Sequence, residues 1–335
     1  MDGGTILGFL LSLFFGFIPM FLFAYLLYWI DRYEKEPKLL LIGTFIWGAV
    51  VAAGVAFIVN TVLGLGVYMF TGSDMATELT TGSIIAPVVE EFLKGFAVLL
   101  VFLIFRKEFD SILDGIVYAG IAALGFAATE NTYYIFSYGY MENGIAGTFF
   151  LVFVRVILVG WQHPFYTAFF GIGLAISRLS RNGIVKFIAP VGGLGLSIFT
   201  HSMHNTLASF MGGLGGLAVG TLVDWSGWFI MVLFILWALY REQQWLITEL
   251  REEVKLGILS PGQYRVACSA WRQSYTRLTA LFSGRFQATR KFYKITAELA
   301  YKKHQRASLG EESGNTNIIN KYRSELARLS ASVEG

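Results

Sequence analysis

The chain has 335 residues, 55% of them hydrophobic and 15% charged, with 30 Phe, 16 Tyr, 8 Trp and a net charge of +3. A soluble domain carries nearer a quarter charged residues, so this composition excludes an ordinary water-soluble globule and indicates a membrane protein. The single cysteine, Cys268, excludes an intrachain disulfide and suits a cytosolic position.

A helix needs about 20 predominantly apolar residues to cross a bilayer. Seven runs reach that length, near 5–30, 39–71, 84–105, 112–137, 147–177, 187–210 and 219–240. The first has no basic leader and no small-x-small cleavage site before Asp31, so it reads as a retained span and not a signal peptide. The second and fifth are long enough to tilt or kink. Arg32, Lys35 and Lys38, then Arg106 and Lys107, then Arg178, Arg181 and Lys186 fall in alternate loops, while "TGSDMATELTTG", "SYGYMENGIAG" and "MGGLGGLAVG" contain no Lys or Arg. Basic loops stay inside, which places the protein in the cell membrane with its N-terminus extracytoplasmic and its C-terminus cytoplasmic. The expected fold is all-α: a polytopic membrane domain of about seven transmembrane helices over 1–240, followed by a basic cytosolic helical tail over 241–335. No inverted repeat of the transporter kind is visible.

The tail holds 16 Lys and Arg against 9 Asp and Glu. "SPGQ" at 260–263 has the form of a capping box with Pro at the first helical position. Tyr264, Ala267, Trp271, Tyr275, Leu278 and Phe282 follow at helical spacing and predict one amphipathic helix. A basic-aromatic segment runs from Arg285 to Arg306, "ASLGEESGNT" reads as a polar linker, and Ile318, Ile319, Tyr322, Leu326 and Leu329 mark a last short helix. Positive charge on such a tail suits anionic lipid of the inner leaflet. No motif points to nucleic acid, and none is expected as a partner.

The polar residues inside the spans carry the functional argument. Glu90, Glu91 and Lys94 interrupt the third run; Glu130 and Asn131 lie in the fourth, His163 in the fifth, and His201, His204 and Asn205 in the sixth. At 1.5 Å per residue, Glu90 and Glu91 lie about 10 Å below the outer surface, with the other acids and imidazoles in a similar layer. A charge at mid-bilayer costs about 2.5–3.5 kcal/mol on insertion scales, so these side chains must face one another or a wet cavity. One isolated His or Asn would read as a hydrogen bond between helices. Acids and imidazoles from four helices together read as a functional site.

Spacing refines the roles. Lys94 is i,i+4 from Glu90 and i,i+3 from Glu91, so it can form an ion pair with either and leave the other to act as a general base for water. His201 and Asn205, at i,i+4, share a face from which both can donate to an oxyanion. Pro164 after His163 predicts a kink that opens space in the fifth span. His204, i,i+3 from His201, could join it on a metal and otherwise reads as a spectator; Asp114 reads as a cap or loop anchor, and Asn131 is left without a role.

The strings "EEFLK", "DGIVYAGIAALGFAATEN", "GWQHPFY" and "HSMHN", with "YWIDRYEKEPK" after the first run, resemble the PrsW-type intramembrane proteases over roughly 22–210. That family shares a superfamily with the CAAX prenyl endopeptidases. The resemblance implies an endopeptidase acting on a membrane-anchored protein, with an anti-sigma-factor-type regulator cut on the outer side. It maps Glu90 and Glu91 onto the paired glutamates, Glu130 onto the second acid, His163 onto the third-motif histidine, and His201 with Asn205 onto the last element. The second motif ends in Glu130 where CAAX-type relatives have histidine, which argues against prenyl-protein processing. No cofactor is required by a glutamate-activated water. A zinc-dependent metalloprotease is the nearest alternative, since Glu and His also bind zinc. An ion- or proton-coupled transporter, or an inactive membrane sensor, would use the same residues differently.

Overall fold

The structure is a computed structural model that describes residues 3–210, 213–311 and 314–333. Residues 211–212 of the last Lys/Arg-free connection and residues 312–313 of the polar linker lie outside the described residues. Those described form helices α1 (Gly3–Ile30), α2 (Lys38–Ile46), α3 (Ala53–Thr71), α4 (Asp74–Thr80), α5 (Ala86–Ile104), α6 (Ile112–Tyr134), α7 (Met141–Val152), α8 (Gln162–Leu179), α9 (Gly183–Phe210) and α10 (Gly213–Glu249). Short helices α11 (Arg251–Lys255), α12 (Pro261–Ala267) and α13 (Ala270–Phe282) follow, then α14 (Phe286–Leu309) and α15 (Asn315–Ser330). π-helical turns at Trp47–Ala52, Thr81–Ile85, Ile135–Tyr140 and Phe153–Leu158 join several of them. No strand occurs among the described residues.

Among the described residues, five helical stretches are long and apolar enough to cross a membrane: Gly3–Ile30, Lys38–Thr71, Ile112–Leu179, Gly183–Phe210 and Gly215–Lys255. Ile112–Leu179 contains the expected fourth and fifth runs. It turns at Gly144, whose φ of 59° lies in the left-handed region that only glycine adopts without strain. Helix α5, the expected third run, is apolar except for Glu90, Glu91 and Lys94. The kink expected at Pro164 falls earlier, in the turn at 159–161. Pro164 then sits in the first turn of α8, where a missing N–H breaks no helical bond.

The chain divides into two compact units. The first comprises Met1–Ile30, Glu36–Arg178 and Asn182–Leu233. Helix α6 is its axis, with 18 of 23 residues buried. A capping box starts it: the Ser111 backbone N–H donates to Asp114 Oδ2 at 2.6 Å, and Ser111 Oγ accepts from the Asp114 N–H at 3.3 Å. Between lipid-soluble helices no hydrophobic drive favours association, so close approach of small residues supplies the packing. Gly115 of α6 and Gly171 of α8 show this; a Cβ on either would overlap the other's carbonyl oxygen. Outward-facing Phe14, Leu22, Phe57 and Ile58 are exposed, an apolar surface that suits lipid.

The second unit comprises Asp31–Lys35, Leu179–Arg181 and Phe234–Gly335, with its own core of Leu246, Leu250, Leu259, Phe292, Leu299 and Leu326. Inside it the fully buried Glu253 receives two bonds from Arg323, at 2.8 and 2.9 Å, and one from Lys303 at 2.7 Å. The expected Ser260–Gln263 capping box and Pro261 at N1 start α12. The single amphipathic helix expected from Tyr264 to Phe282 is instead two. Ser269 takes an extended conformation and its Oγ accepts from the Arg272 N–H, which caps a new helix. Ala267 is therefore buried, whereas Trp271, Tyr275, Leu278 and Phe282 of α13 are exposed.

Candidate active site

The site lies wholly in the first unit. Helix α5 turns Glu90, Glu91 and Lys94 inward, all of them less than a tenth exposed. Lys94 Nζ is 2.6 Å from Glu91 Oε1, 3.8 Å from Glu90 Oε2 and 3.3 Å from His163 Nδ1. It also lies 4.5 Å from the centroid of the Phe126 ring, on α6, which adds a cation–π contact. Of the two glutamates, Lys94 thus pairs with Glu91. The Glu91 carboxylate further accepts from Thr167 Oγ1 at 2.8 Å and lies 2.9 Å from His201 Nδ1. Three partners from three helices hold it in one orientation.

Glu90 is held more loosely. Its Oε1 accepts from Asn60 Nδ2 at 3.4 Å, and its Oε2 is buried with no hydrogen-bond partner. That oxygen faces His201 Nε2 at 3.8 Å. A buried carboxylate oxygen that accepts no hydrogen bond is expensive, so a ligand atom or water placed there would be well held.

The second half of the site is centred on Glu130. Its Oε2 receives Arg155 Nη2 at 2.7 Å and lies 2.8 Å from His163 Nε2. Arg155 Nε donates to Asn131 Oδ1 at 2.9 Å, and the guanidinium stacks 4.0 Å from the Tyr134 ring centroid. The His163 and His201 rings meet edge to face with centroids 5.3 Å apart, and Tyr166 stacks on His201 at 4.8 Å. Glu90, Glu91, Lys94, Glu130, His163 and His201 therefore form one connected cluster. Asn205 borders it but spends one N–H on the Gly82 carbonyl, at 2.8 Å. Its side chain has two such N–H groups, so one stays available.

The Glu130–His163–His201 side of the cluster opens on a pocket of about 530 Å³, lined also by Arg155, Tyr166 and Asn205; Glu90, Glu91 and Lys94 do not line it. In the same pocket lining His204 Nδ1 lies 3.0 Å from Asp224 Oδ2, to which Gln162 also donates. Sequence reasoning missed Arg155 and Asp224 and left His204 a spectator, although the structure binds it to Asp224. The signal was present, since each is a lone charge inside an apolar run, in "FVRVIL" and "LVDWSG".

One oxygen of Glu90 and one nitrogen each of His163 and His201 lie within 4.8 Å of one another. Two histidines and a carboxylate form a ligand set of catalytic zinc sites, which keep a fourth position for water. Glu90 Oε2 and His201 Nε2 are open donors, whereas His163 would have to release Lys94 or Glu130. The residues present thus fit a divalent ion.

Fold and site together define a multi-pass helical membrane protein that gathers acids and imidazoles around a pocket inside its helices. The chain belongs to the PrsW family: the model described as "PrsW family intramembrane metalloprotease" matches residues 36–239. Curated proteins named Protease PrsW are similar to it. That of Clostridioides difficile is 35% identical over 114 residues, covering 33% of this chain and 46% of the relative. That of Geobacillus kaustophilus is 30% identical over 141 residues, covering 42% and 55%. The Bacillus subtilis protein is 27% identical over 207 residues, covering 62% and 82%. The chain thus matches about half the length of the first two relatives. No solved structure matches it.

Proposed function

We propose that this protein is a membrane-embedded endopeptidase that hydrolyses a peptide bond of a membrane-anchored protein. The observation that carries the reading is the buried Glu90 Oε2, which accepts no hydrogen bond, beside the Glu91–Lys94–His201 group and the Glu130–His163–Arg155 group that lines an open pocket. A substrate helix shields its own amides by hydrogen bonding, so the segment entering the pocket must first unwind. Glu90 then takes a proton from water as the oxygen attacks the carbonyl carbon. The spare N–H of Asn205 donates to the oxyanion, joined by His201 Nε2 when that ring, already giving its Nδ1 proton to Glu91, is the imidazolium. The proton passes to the amide nitrogen, the C–N bond breaks, and an acid and an amine leave. Glu91 and Lys94 orient His201, while Glu130 and Arg155 hold His163 at the opposite side.

A second reading is favoured by the ligand-like grouping of Glu90, His163 and His201 and by the family's description as a metalloprotease. A divalent ion held by these three would polarise the scissile carbonyl and lower the pKa of a bound water. In either reading we place the pocket toward the extracytoplasmic side of seven crossings, with the protease-like domain over 1–240, the tail over 241–335 in the cytoplasm, and an anti-sigma-factor-type regulator as the substrate class. The alternation of basic loops supports that orientation.

The test uses purified full-length protein and a membrane-anchored reporter substrate. Glu90→Ala, Glu91→Ala and His201→Ala are expected to abolish cleavage while leaving insertion intact. Metal content of the same preparations, with activity measured in chelator, separates the two readings. Wild-type cleavage by all three variants contradicts both. Proton-driven uptake without proteolysis would move the assignment to a transporter.

A further inference from the structure

Helix α13 presents an apolar stripe to its surroundings. Trp271, Tyr275, Leu278 and Phe282, at i, i+4, i+7 and i+11, are 78%, 69%, 54% and 85% exposed, with Leu281 beside them at 55%. Gln273 and Ala280 bury the opposite face, where Gln273 Nε2 donates to the Ala267 carbonyl at 2.8 Å. The charge that flanks the stripe along the chain has one sign. From Val254 to Ala297 the chain carries eight Lys and Arg and no Asp or Glu, and Arg272, Arg285 and Arg290 lie on the surface. Arg32, two residues past the end of α1, lies with its guanidinium 5.9 Å from the Trp271 ring centroid.

We propose that α13 is an interfacial helix whose aromatic stripe enters an anionic bilayer surface while the surrounding arginines meet lipid phosphates. Trp, Phe and Leu on one face with Arg or Lys around them is the pattern of helices that lie in the membrane plane. Anionic headgroups attract such a basic segment, and the attraction falls off within a Debye length. A second copy of the chain would also cover the stripe, but a self-complementary contact would bring two sets of the same cations together. The proposal is independent of proteolysis, and symmetric bilayers make it independent of orientation.

The test places the full-length protein in nanodiscs of phosphatidylcholine alone, or with about 30% phosphatidylglycerol, with and without brominated acyl chains. The Trp271 contribution is the difference in emission between wild type and Trp271→Phe, a conservative change at an exposed position. In the anionic discs this contribution is expected to shift to the blue and to be quenched at least about twofold more than in neutral discs. About 0.5 M NaCl should reduce the difference, and Leu278→Asp with Phe282→Asp should remove it. Water-like, unquenched Trp271 emission in the anionic discs overturns the proposal. So does a blue-shifted but unquenched component in particles holding two copies, which would assign the stripe to self-association.

Discussion

Replacing Lys94 by methionine removes a cation that lies against both glutamates of α5. Lys94 is fully buried, 2.6 Å from Glu91 and 3.8 Å from Glu90, and its chain packs on Phe126. Methionine preserves most of that apolar volume. The lost charge leaves Glu91 buried with only Thr167 and His201 as hydrogen-bond partners. Breaking a buried pair from one side costs about 3–5 kcal/mol, which for a unit of this size lowers Tm by on the order of 10 °C. Changing Glu91→Gln in the same chain removes the stranded charge. The double variant should therefore recover most of the stability, with a favourable coupling of about 2–3 kcal/mol. Cleavage should stay absent in it, because the His201 orientation set by a charged Glu91 is gone. Thermal unfolding in detergent, followed by intrinsic fluorescence, gives the four corners of the cycle. An unchanged Tm in Lys94→Met, or additive effects in the double variant, would refute the pairing on which the site's architecture rests.

Other consequences are more direct. Glu90→Gln keeps the size of a side chain that makes one long hydrogen bond, so folding should be unaffected while kcat falls by about 10²–10⁴, measured on a reporter substrate. Gly171→Leu drives a side chain into the Gly115 carbonyl and should cost at least about 1–3 kcal/mol, read as lost folded yield, whereas Gly43→Leu, with open space at its Cβ, should be tolerated. Burial pushes the Cys268 thiol up to about 11. At pH 8 about one molecule in a thousand then carries the reactive thiolate, so maleimide labelling should accelerate about 100-fold on denaturation.

The helical, membrane-embedded class was legible because apolar runs of span length need no tertiary information. The catalytic candidates were legible for a related reason: a charge inside such a run is so costly that it marks itself. Glu90, Glu91, Glu130, His163 and His201 come together in the structure, and their roles in hydrolysis are the proposal above. Arg155 and Asp224 obeyed the same rule and were overlooked amid longer motifs. Which glutamate pairs with Lys94 was not legible, since both i,i+3 and i,i+4 are neighbours on a helix. Thr167 and His201, brought in by α8 and α9, decide it. The break at Ser269 escaped notice because no Gly or Pro marks it, and the periodicity of Tyr264 to Phe282 continues across it. The four π-helical turns have no sequence signature.

The account stands most directly on whether Glu90 is needed for a peptide bond to be cut in a membrane. Terminal-peptide proteomics of membranes from cells producing wild-type protein or Glu90→Gln, at equal levels, measures this. New extracytoplasmic termini present with the wild type and absent with the variant are the predicted result. Identical termini in both would contradict it.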